Sequence, residues 1–352
     1  MDKSLYSEEV QKYLEKFVQR YPSNYILECI ENLKNLKVLV IGEAIIDEYQ
    51  FGQVLGKSAK EPIIALKYIK RELYPGGSLA IANHLANFCK EVGLFAMLGK
   101  EDSQEKFIRQ NLRKNIKPVF FYKKDSPTIV KRRFLEDVTF RKLLEFYVIN
   151  DGELNKEQTD ELIKKLKLLF SKYDLVICSD FGHGMLSQKS RNLLINKAKF
   201  LSVNTQANAG NFGHHTVSFY PKADFLCLGE REVRLECRTK NGELQEVAKD
   251  IFGKVRSNYM IVTLGSSGSI GYKNKNKLEV CKVPSFGIKE IDTTGAGDAF
   301  FAISSLLIYN KVPLEVVCFI GNAIGALAID IVGNKESVTK KDLISFIKNI
   351  LS

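Results

Sequence analysis

The sequence predicts an α/β protein: a doubly wound, mostly parallel sheet flanked by helices, with a small β-sheet lid. Three observations carry this. Short β-branched runs recur along the chain, helical segments separate them, and two longer stretches of alternating apolar and charged residues break the rhythm.

Residues 1–35 read as an N-terminal helical extension. Leu5, Val10, Leu14, Phe17 and Val18 recur at helical spacing until Pro22 interrupts, so one or two amphipathic helices are expected as a cap appended to a domain of residues 36–352. The first strong strand is KVLVIG (37–42), a continuous run of the kind buried on both faces of a parallel sheet. LFAML (94–98), DLVICSD (174–180), FLSVN (200–204), ADFLCL (223–228) and MIVTLG (260–265) read the same way. Helical segments fall between them at 78–90, 102–115, 155–171 and 187–198. Residues 49–74 and 119–149, rich in Ile, Val, Phe and Tyr, read as hairpins that leave the main sheet. They would form the lid over the C-terminal strand ends, where ligands bind in open α/β sheets.

Lys and Arg outnumber Asp and Glu by 52 to 41, a net charge of +11. The excess is spread along the chain without a basic block or an aromatic-interleaved motif, so nucleic acid is not the expected partner, and a phosphorylated metabolite fits better. The seven cysteines are scattered and never form C-x-x-C, and the four histidines lack metal-ligand spacing. Core thiols in a reducing compartment are expected. The first residues are charged, and no run of 18 apolar residues occurs, so the expectation is a soluble cytoplasmic protein without a membrane partner.

Two phosphate motifs are rejected. FGQVLGKS (51–58) resembles a P-loop but is one residue short between its glycines, and it lies in the lid without the strand and helix that motif needs. VIGEAIID follows a strand but lacks the further glycines of a dinucleotide fingerprint, which disfavours a nicotinamide oxidoreductase. IDTTGAGDAF (291–300) is different, because an apolar helical run begins at its Gly-Ala-Gly-Asp. The plain reading is a turn and a helix cap. The sharper one is an anion site with a base beside it: the amides of Gly295, Ala296 and Gly297 at a helix N-terminus, and Asp298 to take a proton from an attacking hydroxyl.

With that motif the sequence resembles the PfkB or ribokinase-like sugar kinases over roughly residues 37–345. GEAIIDEY (42–49), PGGSLAIANHLANF (75–88), SDFGHG (179–184), VTLGSSGS (262–269) and GNAIGALAIDIVGN (321–334) stand in that family's order. Within the family the chain is most similar to the heptose-7-phosphate kinase branch. The resemblance implies a ribokinase-like fold and an ATP-dependent, Mg²⁺-requiring phosphotransferase acting on a sugar or sugar-phosphate hydroxyl. It gives Asp298 the role of base. It assigns Asp47, Gly76 and Gly77 to the sugar, Thr263, Gly265 and Gly268 to the nucleotide loop, Asn322 to the adenine side, and Glu232 to the metal and phosphates. By analogy it also implies a homodimer through the lid.

Some positions depart from the family. Ala80 stands where Asn usually holds the sugar, with Asn83 one turn on as a substitute; Gly229 opens the N-x-x-E motif, NTQ (204–206) replaces D-P-K, and His183 replaces Lys. The segment 204–215 is long and Asn/Gly-rich for a strand-to-helix connection, which hints at function, although His214 and His215 receive no chemical role. In PTIVKRRFLED a strand period of two puts Lys131 and Arg133 on one face, opposite Val130, Arg132 and Phe134. These cations would meet the end of a phosphorylated substrate remote from Asp298; the plainer reading is a solvated lid edge. Asp47 could likewise be a turn cap and Glu232 a surface acid. Two alternatives stay open: a kinase of an unphosphorylated sugar or nucleoside, and a catalytically weak sugar or nucleotide sensor.

Overall fold

The computed structural model describes residues 5–288 and 291–352; the first four residues of the expected extension lie outside it. Two helices, α1 (Glu8–Arg20) and α2 (Ser23–Glu31), precede the first strand. Ser7 caps α1 by accepting from the Val10 amide. These helices are more than an appended cap. Val10, Leu14, Phe17, Ile26 and Ile30 are buried in the main core, and Phe17 stacks on Phe319 with centroids 4.2 Å apart. Arg20 adds a bidentate pair to Glu315, both bonds 2.7 Å.

The strands are β1 (Lys37–Lys57), β2 (Ile64–Gly77), β3 (Glu91–Gly99), β4 (Ile116–Lys123), β5 (Ile129–Glu136), β6 (Lys142–Val148), β7 (Leu175–Asp180), β8 (Leu201–Thr205), β9 (Phe225–Gly229), β10 (Tyr259–Thr263), β11 (Ser269–Asn274) and β12 (Leu278–Val283). The main sheet runs β12-β11-β10-β9-β8-β7-β1-β3-β4. It is parallel from β10 to β4, and its last two strands are antiparallel. The intervening helices are α3 (Ser78–Leu85), α4 (Glu105–Gln110), α5 (Lys156–Lys167), α6 (Gln188–Lys197), α7 (Glu230–Glu236) and α8 (Leu244–Lys254). Then come α9 (Ala296–Tyr309), α10 (Leu314–Ala328) and α11 (Lys340–Leu351). Two apolar clusters result, one around α3, α9 and α10 and the other around α5, α6 and α8, as a sheet covered on both faces requires.

β1 builds the lid by outrunning the sheet. Its first half pairs with β3 and β7; its second half, from Ala44 onward, pairs with β2 and β5, and β6 adds to β5. The FGQVLGK stretch lies inside this strand. The expected lid boundary at residue 119 needs correction. Residues 119–123 belong to β4 and pair with β3 at the edge of the main sheet, where Phe120 and Phe121 are buried. α4 is also shorter than expected, because Asn83 binds the chain just past its end, accepting from the Arg113 amide and donating to the Asn111 carbonyl.

Candidate active site

The DTTG turn is fixed before α9 begins. Asp292 is buried and accepts from Tyr49 Oη (2.5 Å), Lys142 Nζ (2.7 Å), the Thr294 amide (3.0 Å) and the Gly333 amide (2.8 Å). Burial would raise this carboxyl, but Lys142 and the hydroxyl and amide donors outweigh it and hold it at about 2. One carboxylate thus ties lid strands β1 and β6 to the start of α9. Gly295 follows with φ 87°, in the left-handed region, where a Cβ would also collide with Asn334. At Gly297 a Cβ would have nothing within 4 Å, so the first turn of α9 lies open to the adjoining cavity.

That cavity holds about 300 Å³ between lid and sheet. Asp47, Gly77, Lys131, Arg133, Gln206, Gly295, Gly297, Asp298 and Asn334 are among its walls. Asp298 is buried; burial first, then the nearby Asp47 charge, push its carboxyl up to about 7 against the opposing pull of Lys131 and a hydrogen bond from Gln206 Nε2 (3.1 Å). A carboxyl poised there exchanges a proton near neutral pH. Asp47 accepts from Arg133 Nη1 (2.5 Å) and Asn334 Nδ2 (3.2 Å). β2 passes close beside it, and a Cβ at Gly76 would collide with the Asp47 carboxylate. Gly77, φ 57°, turns the chain into α3.

Lys131 and Arg133 share a face, while Arg132 points away to Glu48 (2.6 Å). Both line the same cavity as Asp298, and the Lys131 charge acts on the Asp298 carboxyl. Nor is Arg133 an uncommitted cation, since Glu145 pairs with it at 2.8 Å besides Asp47. Lys131 is buried, which lowers its ammonium against the pull of Asp47.

A second cavity of about 980 Å³ lies beyond the ends of β9 and β10. Glu232, Thr263 and Gly265 line it with Arg231, Arg238 and Lys240. Glu232 Oε1 accepts from the Ala207 amide (3.2 Å). Among the described residues no group of three metal-ligating side chains occurs, so a divalent cation would rest on Glu232, water and nucleotide phosphates, a donor set that suits Mg²⁺.

Three expected site residues stand elsewhere. The Asn83 amide is spent on the Asn111–Arg113 turn, outside the Asp298 cavity, so it does not replace the asparagine missing at Ala80. Asn322 donates to the carbonyls of Val283 and Pro284, 3.0 Å each, and braces the chain after β12 instead of lining the larger cavity. Gly268, φ 91°, is required where the turn presses on Val283, also off that wall.

Sequence reasoning missed Asn334, Gln206 and Asp292, although each lies in a quoted motif. His215 was given no role, yet it is buried with Nε2 3.2 Å from Asp180 Oδ1. Burial alone would raise Asp180; His215, Arg191 and Tyr220 together hold it far below the carboxylate range.

The chain is similar to known proteins in sequence and in fold. The chain is 24% identical over 311 residues to the bifunctional protein HldE of Shewanella sp. (strain ANA-3), covering 88% of this chain and 63% of that protein. A Campylobacter jejuni subsp. doylei protein of the same name is 24% identical over 320 residues, with 88% and 64% covered. The chain therefore spans less than two thirds of those relatives. Among solved structures, phosphofructokinase-2 from Escherichia coli, in complex with substrates and products, superposes with a TM-score of 0.70 at 15% identity, covering 90% of this chain and all of that one. Ribokinase from Thermotoga maritima gives 0.66 at 19%, covering 89% and 100%. These two share the fold. The pattern of the pfkB family carbohydrate kinases matches residues 35–341, and the chain belongs to that family.

Proposed function

We propose that this carbohydrate kinase phosphorylates a hydroxyl of a small sugar phosphate, heptose-phosphate-like, using ATP and Mg²⁺. The observation that carries the reading is the buried Asp298 carboxyl, poised at about 7 beside the open first turn of α9. The ionised Asp298 takes the proton of the acceptor hydroxyl, and that oxygen bonds to the γ-phosphorus in line as the bond from phosphorus to the bridging oxygen breaks and ADP leaves. The amides of Gly295 and Gly297 meet the charge on the transferring phosphoryl, favoured by the helix dipole, whereas the Ala296 amide already donates to the Thr293 carbonyl at 3.3 Å. Asp47, held by Arg133 and Asn334, accepts from sugar hydroxyls, with Gly76 and Gly77 giving the room beside it. Lys131 supplies positive charge to the substrate. Thr263 and Gly265 would border the nucleotide, and Glu232 would hold a hydrated divalent cation, which would supply positive charge to the phosphate oxygens. Gly268 and Asn322 support that border from behind.

One observation favours an unphosphorylated sugar or nucleoside instead: Asp47 and Glu145 already neutralise Arg133, which leaves a cavity of nearly balanced charge. An ADP-release screen over heptose phosphates, hexose phosphates, free sugars and nucleosides decides between them. Turnover best with a sugar phosphate supports the proposal; turnover best with a neutral acceptor replaces it. We assign the apolar side chains exposed on the lid, Leu55, Ile64, Tyr68, Leu144 and Phe146, to pairing with a second copy of the chain. Light scattering that returns a monomer at micromolar concentration overturns this.

A further inference from the structure

The connection after β8 is held by its own polar side chains. Asn211 Nδ2 donates to the carbonyls of Phe181 (2.6 Å) and Gln206 (3.0 Å), and its Oδ1 accepts from the Asn208 amide (2.9 Å). Asn208 Nδ2 donates to the Phe181 carbonyl (2.8 Å). Farther along, buried His215 sits against Asp180, which Tyr220 (2.6 Å) and Arg191 (3.3 Å) also hold. A long connection bonded in this way is braced against the loop after β7. What it presents is Gln206.

Gln206 reaches the Asp298 cavity and donates Nε2 to Oδ1 of that carboxylate at 3.1 Å. The next residue, Ala207, donates its amide to Glu232 in the larger cavity. Two adjacent residues thus touch an acid in each cavity. We infer that Gln206 is a positioning residue for Asp298: its amide fixes Oδ1, presents Oδ2 to the acceptor hydroxyl, and favours the ionised form that accepts the proton. This rests on the reading of Asp298 as the base.

The charged and titratable groups acting on this site come from three strands. Asp47 on β1 repels the carboxylate, Lys131 on β5 attracts it with Arg133 beside it, and the Cys227 thiol on β9 is itself raised mainly by burial, then by the charge of Glu232 on α7 and by that of Asp298. Gln206 is a neutral donor among them. Replacing it with Leu removes the donor and changes no charge, while replacing it with Lys adds a cation at the same place.

The test is a carbon-13 titration of the full chain labelled at the aspartate carboxyls, with no substrate present. The resonance missing in Asp298→Asn belongs to Asp298. Gln206→Leu is expected to raise its midpoint by about one pH unit, about tenfold in the ionisation constant, and Gln206→Lys to lower it by a similar amount. The other aspartate resonances report whether each variant is folded; if Gln206→Leu is not, the downward shift in Gln206→Lys carries the test alone. A midpoint unmoved to within about 0.3 unit in a folded variant, or the same direction of shift in both, overturns the proposal. Because no turnover is read, that failure leaves the base role of Asp298 standing. The base role fails separately, if Asp298→Asn retains its activity.

Discussion

Asp298 and Asp47 are buried side chains that line one cavity, the first on the helix after the GAG turn and the second on the strand that leaves the sheet to build the lid. After burial, the Asp47 charge is the largest influence raising the Asp298 carboxyl. kcat/KM should therefore rise with pH through an acid limb near 7 and flatten above it. In Asp47→Asn the limb should move to lower pH, and a pH–rate series on both proteins reads this directly. A limb unchanged between them contradicts the coupling.

The same shift has a consequence for stability. In the unfolded chain this carboxyl titrates near its ordinary value of 3.8, so between about pH 4 and 7 the folded state holds a proton that the unfolded state has lost. The stability linked to that proton is complete below about pH 4 and is lost as pH rises through 7. Asp298→Asn, with no charge to bury, should gain on wild type as pH rises, by on the order of 2–4 kcal/mol between pH 4 and pH 8. Urea denaturation at the two pH values measures it; an equal difference at both contradicts the raised carboxyl.

Gly297 and Gly295 should respond differently to substitution. Gly297→Val places its branches in open space over the first-turn amides, so folding should persist while turnover falls below detection. Gly295→Ala meets a positive φ and the Asn334 side chain, so it should lose about 1–3 kcal/mol of stability as well. Circular dichroism melts beside ADP release separate the two cases. A fully active Gly297→Val would reduce the GAGD sequence to a turn.

Arg133→Ala strands the buried Asp47 carboxylate. Breaking a buried pair in this way costs about 3–5 kcal/mol, and the sugar KM should rise roughly ten- to a hundredfold while the ATP KM barely moves. Equal rises for both substrates would place Arg133 in general packing.

The sheet was legible because parallel strands buried on both faces are continuous apolar runs, as in 37–42 and 174–180. The turn that opens α9 was legible because Gly295 and Asp298 lie close in sequence. The lid edge was misjudged at 119–123, since an edge strand of the main sheet alternates much as a hairpin does. Asn83 was misplaced because helical spacing locates a residue on its own helix and is silent about the 111–113 turn that captures its amide. Gln206 and Asn334 reach the cavity from distant parts of the chain, and no local pattern announces such a meeting.

The most direct test is the turnover of Asp298→Asn on the best acceptor from the screen, with ATP affinity measured by calorimetry on the same protein. The account predicts a kcat lowered by roughly two to four orders of magnitude with ATP binding nearly unchanged. An Asp298→Asn protein that turns over as fast as wild type would contradict it.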